Sequence, residues 1–96
     1  MRTLAPDVKV TDGALTQIVM RAVDGVDGAR VRRPRRKVAI TIEDGHARVD
    51  LGLAVVYGMV LPEVARDVQR EVADALARMC DLAVDAVDVS VEELDA

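Results

Sequence analysis

Between Leu51 and Val91 the hydrophobic pattern changes period twice, and this constrains the fold more than any other feature of the chain. Leu51 to Tyr57 is an apolar run of strand length that stops at Gly58. From about Leu61 to Cys80 the apolar residues Val64, Ala65, Val68, Val72, Leu76 and Met79 return at helical spacing, which predicts a helix with one buried face. Asp81 and Leu82 break that pattern, and Val84 to Val91 alternates again, with Val87, Val89 and Val91 set between Asp88, Ser90 and Glu92. Strict alternation predicts a strand with one buried face and one wet face. The second half of the chain therefore reads as a strand–helix–strand unit with a Tyr-Gly corner.

The first half supplies partners for that unit. Val8 to Val10 is a candidate for a short edge strand. Thr11 and Asp12 are N-cap candidates, because their side-chain oxygens can accept from a free helix N–H. Ala14, Leu15, Ile18, Val19, Ala22 and Val23 then mark the buried stripe of a helix ending near Asp24. Gly25 stands where a left-handed residue is expected to end it. Val26 to Arg32 reads as extended, Pro34 interrupts, and Lys37 to Ile42 alternates as a strand. Asp44-Gly45 predicts a hairpin, since both residues tolerate positive φ. The return strand begins near Ala47 and lines one face with Val49, Leu51, Leu53, Val55 and Tyr57. Its other face changes from Arg48 and Asp50 to Gly52, Ala54 and Val56, which predicts a central position in the sheet or a surface lying over it. The fold expected is a single α+β domain over residues 1–96, with its core at about 8–94, in the order (β)αβββαβ. Each element has one apolar side to hide, so two helices on one face of a mixed sheet is the economical arrangement.

The apolar residues are unusual in kind. There are 18 Val and 14 Ala but one Tyr, no Phe and no Trp. A core without rings, each of which would bury roughly 150–250 Å², depends on β-branched packing in the sheet. A chain of 96 residues also buries only roughly 60–65% of its unfolded surface. Together these predict a thin stability margin and a tendency to associate. Cys80 is the single cysteine, so no internal disulfide can form, and a reduced cytoplasmic setting is expected. No apolar run approaches the roughly 18 residues a membrane span needs. Met1 to Val10 lacks the apolar stretch of a secretory signal, so any membrane association is expected to come through a partner.

No catalytic constellation is visible. His46, the one histidine, follows Asp44-Gly45 at a hairpin tip and reads as a solvated turn residue. Metal sites need three or four clustered ligands, and one His and one Cys far apart in sequence predict none. Cys80 ends a helix on its apolar side, where a thiolate is disfavoured, and reads as a small buried hydrophobe. The glycines of Asp24-Gly25-Val26-Asp27-Gly28 lack the phosphate-loop pattern. Glu92 and Glu93 read as a solvated C-terminal tail. No cofactor, no metal and no enzymatic activity are expected.

Charge is more informative. The net charge is −4, yet Arg30, Arg32, Arg33, Arg35, Arg36 and Lys37 place six of the 13 basic residues in one short stretch without an acid. The remaining seven basic residues face 17 acidic ones elsewhere, so the domain is bipolar. The basic stretch is a candidate contact for an acidic protein patch, lipid headgroups or nucleic-acid phosphate. A phosphate contact would be salt-dependent and blind to sequence. Against nucleic acid, the sheet lacks the aromatics on which bases stack. Gly52, Ala54 and Val56 form a second candidate, an assembly face whose small side chains let another subunit approach.

Several short motifs, taken in order, resemble one family. Thr11-Asp12-Gly13 with Ile18 and Ala22 is similar to its opening helix, and Gly25-Val26 with Arg30-Val31 to its first turn and strand. Val55-Val56-Tyr57-Gly58 resembles its hallmark Tyr-Gly turn. Val64-Ala65 with Val68-Gln69 and Val72 resembles its second helix, and Val84, Val87, Val89 and Val91 its closing strand. The family is the alkaline shock protein 23 family, envelope-stress-response proteins of mostly Gram-positive bacteria, and the resemblance covers about Val8 to Leu94. It implies a non-enzymatic cytoplasmic protein that self-associates as a homo-oligomer or with a paralogue, acts as a scaffold, and is held at the membrane by a small integral anchor protein. Composition rich in Val, Ala, Arg and Asp suits an actinobacterial source. The alternative from the residues alone is a regulatory protein binding nucleic-acid phosphate through residues 30–37.

Overall fold

The computed structural model describes residues 10–32 and 38–95. Its elements run α1 (Asp12–Asp24), β1 (Ala29–Val31), β2 (Val38–Glu43), β3 (His46–Val56), α2 (Leu61–Cys80) and β4 (Ala83–Asp95). This is the expected αβββαβ order. The edge strand expected at Val8–Val10 falls mostly outside the described residues, and Val10 itself belongs to no strand.

β3 organises the sheet. β4 runs parallel to it along its whole length, from the pair His46/Ala83 to Val56/Asp95. β1 and β2 both pair antiparallel with β3, at Leu53–Val55 and His46–Leu51 respectively. Because β4 occupies one edge of β3 throughout, β1 and β2 share the other edge as two pieces of one interrupted strand. The sheet is therefore mixed, and the crossover from β3 to β4 is made by α2, as a parallel connection requires.

Both helices pack on one face of the sheet. Leu15, Val19 and Val23 of α1 and Val64, Val68, Val72 and Leu76 of α2 meet Val31, Val49, Leu51, Leu53, Val55 and Val87 in one core. Two bulges keep β4 in phase with that core. The register shifts after Ala47 and again after Leu53, so Asp85 and Glu92 are extra residues. Without them the alternation would carry acids inward. With them Val84, Val87, Val89, Val91 and Leu94 lie beside Ala47, Val49, Leu51, Leu53 and Val55.

Local signals explain most boundaries. Thr11 Oγ1 accepts from the Ala14 N–H at 3.2 Å, the N-cap bond expected of it. Asp44 (φ 52°) and Gly45 (φ 78°) form a hairpin turn with two positive-φ residues. Four expectations are corrected. Gly25 is right-handed (φ −78°), because the chain leaves α1 through a further tight turn, and Gly28 (φ 82°) is the left-handed residue there. Only Ala29–Val31 of the expected Val26–Arg32 segment is strand. Met79 is 62% exposed, whereas Ala75 is buried, since the helical stripe drifts around the axis over five turns. β4 continues four residues past Val91 to Asp95; the bulge at Glu92 flips the phase of the alternation and made Glu92–Glu93 look like a tail.

Candidate functional site

The face of the sheet turned away from the helices gathers most of the residues singled out by sequence. Arg30 on β1 stands beside Ala54 on β3, and Ala54 beside Glu93 on β4. Arg30 reaches across the middle strand to Asp95, with Nη2 and Nε donating to Oδ2 at 2.7 and 3.1 Å. The next position repeats the theme. Arg32 donates its backbone N–H to the Gly52 carbonyl at 2.9 Å, and its Nε lies 3.8 and 3.7 Å from carboxylate oxygens of Glu92 and Glu93. That Nε is shielded from solvent without a hydrogen bond.

These bridges give Gly52 and Ala54 a physical reason for being small. Flanking strands sit about 4.8 Å either side of β3, so a guanidinium on β1 meets a carboxylate on β4 only by passing over the intervening residue. Ala54 is buried beneath that crossing. Val56, the third member of the stripe, is 46% exposed at the end of β3. Arg33, Arg35, Arg36 and Lys37 lie outside the described residues. Arg30 and Arg32, the two described cations of the basic stretch, therefore have intramolecular partners at the C-terminal end of β4. Sequence reasoning missed those partners. The signal was present as the renewed alternation of Leu94 and Asp95 beyond the Glu92–Glu93 doublet, one residue out of phase.

A shallow depression of about 490 Å³ lies on the same face, lined by Ala39, Asp50, Gly52, Asp88 and Ser90 among others. Asp50 and Asp88 are directly opposite each other in the β3–β4 register. Ser90 Oγ lies 3.3 Å from the Leu51 carbonyl and 3.0 Å from a Glu92 oxygen. No group of three or more His, Cys, Asp or Glu residues suited to holding a metal ion occurs among the described residues.

The remaining candidates fall elsewhere. His46 Nδ1 lies 2.9 Å from Asp85 Oδ1, both half exposed, so the hairpin tip is tied to the first bulge of β4. Cys80 is half-buried at the end of α2, and burial raises its thiol above its ordinary 9.0. Gln69, in the middle of α2, donates to the Val87 carbonyl at 2.9 Å and fastens α2 to β4. The Tyr-Gly turn leaves Tyr57 73% and Val60 56% exposed. Gly58 supplies its φ of 102°, a conformation that glycine adopts without strain. Met59 folds back onto the α1–β1 turn, where a Cβ on Gly28 would come within 2.9 Å of the Met59 methyl.

A mixed sheet with two helices on one face, and with Arg30 and Arg32 paired across the central strand, defines a small α+β protein of one domain's worth of core. The chain belongs to the alkaline shock protein 23 family: the family's model, described as having a cell envelope-related function, matches residues 2–96. That membership gives the protein a cell envelope-related role. No curated protein and no solved structure gives a significant match. Among the described residues no helix is long and apolar enough to cross a membrane.

Proposed function

We propose that this is a non-enzymatic interaction protein of the cell-envelope stress response, acting on the cytoplasmic side as a self-associating scaffold and reaching the membrane through a separate integral partner. The observation that carries the reading is a sheet with two edges that no further described strand covers. Among the described residues, β2 and β4 each pair with β3 alone. A strand edge presents free N–H and C=O groups and is a ready template for another chain. The buried cluster is Val and Leu without a ring, and a small core of this kind leaves a thin margin that further burial by association would widen.

The phosphate-binding alternative is weakened by the pairing of Arg30 with Asp95 and of Arg32 with Glu92 and Glu93. Two of its six cations are thereby half neutralised within the chain.

The test is sedimentation of the purified full chain across a wide concentration range, together with affinity capture from detergent-solubilised, nuclease-treated cells. Concentration-dependent association and recovery of an integral membrane protein are expected. A chain that stays monomeric and captures only nucleic-acid-bound proteins, lost on nuclease treatment, would replace this reading with the alternative.

A further inference from the structure

The Tyr-Gly turn keeps apolar side chains in water where the fold itself does not need them. We infer that this turn is a docking surface, and that it takes an apolar protein segment flanked by lysines or arginines. This rests on the interaction role proposed above and specifies its surface and the chemistry of the partner.

Five of the eight large apolar side chains left exposed among the described residues gather at this end of the sheet: Val56, Tyr57, Met59, Val60 and Leu94. Four come from the turn and the strand end that enters it. Leu94 joins them because β4 follows β3 to its end, with Leu94 beside Val55 and the Tyr57 N–H donating to the Asp95 carbonyl at 2.6 Å. Apolar residues exposed singly need no explanation, whereas a cluster of them marks a contact. Two of the five also run against local expectation. Tyr57 is the one residue among Phe, Tyr and Trp that the chain has, yet it stands on the surface while the buried cluster has none. Tyrosine is among the residues that dominate binding energy at interfaces. Val60 is the N-cap of α2 and makes no side-chain cap bond. Valine is among the poorest residues at that position, where Ser, Thr, Asn or Asp accepts from a free N–H, as Thr11 does for α1. A local rule broken without structural gain is expected at a functional site.

Charge specifies the partner. Glu63 lies in the first turn of α2, and Asp95 ends β4 against Tyr57. Asp24 and Asp27 line a depression of about 280 Å³ together with Val56. Of the described cations nearby, Arg30 is held by Asp95 and Arg66 stands one turn along α2, so four acids face two bases. A segment that is apolar in its middle and cationic at its ends matches both the turn and its rim. The same charges disfavour the other occupants. Anionic lipid headgroups would meet the acids directly. A second copy would present the identical patch, since a two-fold contact is isologous, and would set acid against acid. Lys and Arg are concentrated beside the cytoplasmic ends of membrane spans, so the integral partner proposed above has a segment of this composition where it leaves the bilayer.

The experiment reads Tyr57 directly, because the chain has no Trp and no second Tyr to contribute fluorescence. The full chain is titrated with a synthetic peptide of leucine and alanine flanked by lysines and free of aromatic residues. A saturable change in Tyr57 emission is expected, weakening as salt is added, and the same peptide flanked by glutamates is expected to give none. Val60→Ser is expected to weaken binding several-fold while the urea midpoint holds or rises, because serine there completes a capping box with Glu63. A merely structural role for the turn would not separate those two readouts. Glu63→Gln with Asp27→Asn is expected to weaken binding on the order of tenfold and to flatten its salt dependence. Equal binding of the two peptides, or equal binding by the parent and Val60→Ser, overturns the surface. Co-sedimentation of the parent with bare phosphatidylglycerol vesicles would assign the patch to lipid and overturn it too. Affinity capture separates this surface from the role it rests on. If the parent recovers an integral membrane protein and a chain carrying Tyr57→Ser and Val60→Ser recovers it equally, the surface falls and the role stands. If the parent recovers none, both fall.

Discussion

β2 and β4 flank the same central strand and are built from the same kind of residue, yet they meet water differently. β2 is six residues long, alternates Val, Ile and Thr with little charge, and ends in Glu43. β4 is 13 residues long and carries an acid at nearly every second or third position. Length alone would make β4 the more dangerous edge, since a long flat edge invites pairing. Its defences are of three kinds. Acids repel a like strand. Two bulges, at Asp85 and Glu92, break the flat ladder. Gln69 of α2 also occupies the Val87 carbonyl. Among the described residues β2 has no bulge and a single acid, Glu43, at its end, and it is short. An edge is thus made inert by what interrupts its ladder and by its charge, and among the described residues β2 is the edge with the fewer interruptions.

The comparison can be broken at its root. Leu53 is fully buried in β3, between β1 and β4. Leu53→Ala is expected to cost about 2–5 kcal/mol, a large part of the stability of a small domain. Urea denaturation would measure it, and a loss below about 1 kcal/mol would mean that β3 is not the buried centre of the sheet.

It can also be inverted. Replacing Asp85, Asp88 and Glu92 together with Thr gives β4 the character of β2. New concentration-dependent association is expected, visible as a rise in light-scattering mass above that of the parent. No change would show that charge is not what silences this edge.

Gln69→Leu sharpens the same point more gently. It leaves the Val87 carbonyl without its donor, and chemical denaturation should register a loss of about 1–2 kcal/mol. Smaller again is Arg30→Ala. The Arg30–Asp95 bridge is part-exposed, with side chains 43% and 31% accessible, so a loss under about 1 kcal/mol is expected. It should shrink as salt is added, because exposed pairs are screened; a salt-independent loss would point to packing over Ala54 instead. The smallest effect concerns Cys80, next to the start of β4. Burial raises its thiol pKa above 9.0, so the folded state holds that proton longer than the unfolded chain does. Its stabilising contribution is complete below pH 9 and is lost as pH rises through the folded-state value. Cys80→Ala should flatten the alkaline limb of a stability–pH curve, and an unchanged limb would assign it to other groups.

How far the chain could be read in advance differed by element. The bounds of α2 were legible to the residue, because Pro62 near its start and five turns of periodic Val and Leu leave little freedom, though its stripe was misread at Met79. The Asp44-Gly45 hairpin was legible because few dipeptides satisfy two positive-φ positions. The end of β4 was not, because a bulge shifts the alternation by one residue and turns a strand into an apparent acidic tail. That single misreading also concealed the partners of Arg30 and Arg32, and with them the reason Gly52 and Ala54 are small. His46 is exposed, as expected, but its partner was not legible: Asp85, the residue that meets it, is the extra residue of the first bulge.

Sequence by itself determined the element order, the class of fold and the faces that are buried, since these depend on local periodicity and on turn residues whose backbone preferences are short-range. Strand order, the parallel pairing of β3 with β4, the cross-strand bridges and the identity of the open edges were decided only by the tertiary structure. They depend on which distant segments share β3, and alternating Val residues carry no label for the neighbour they will choose.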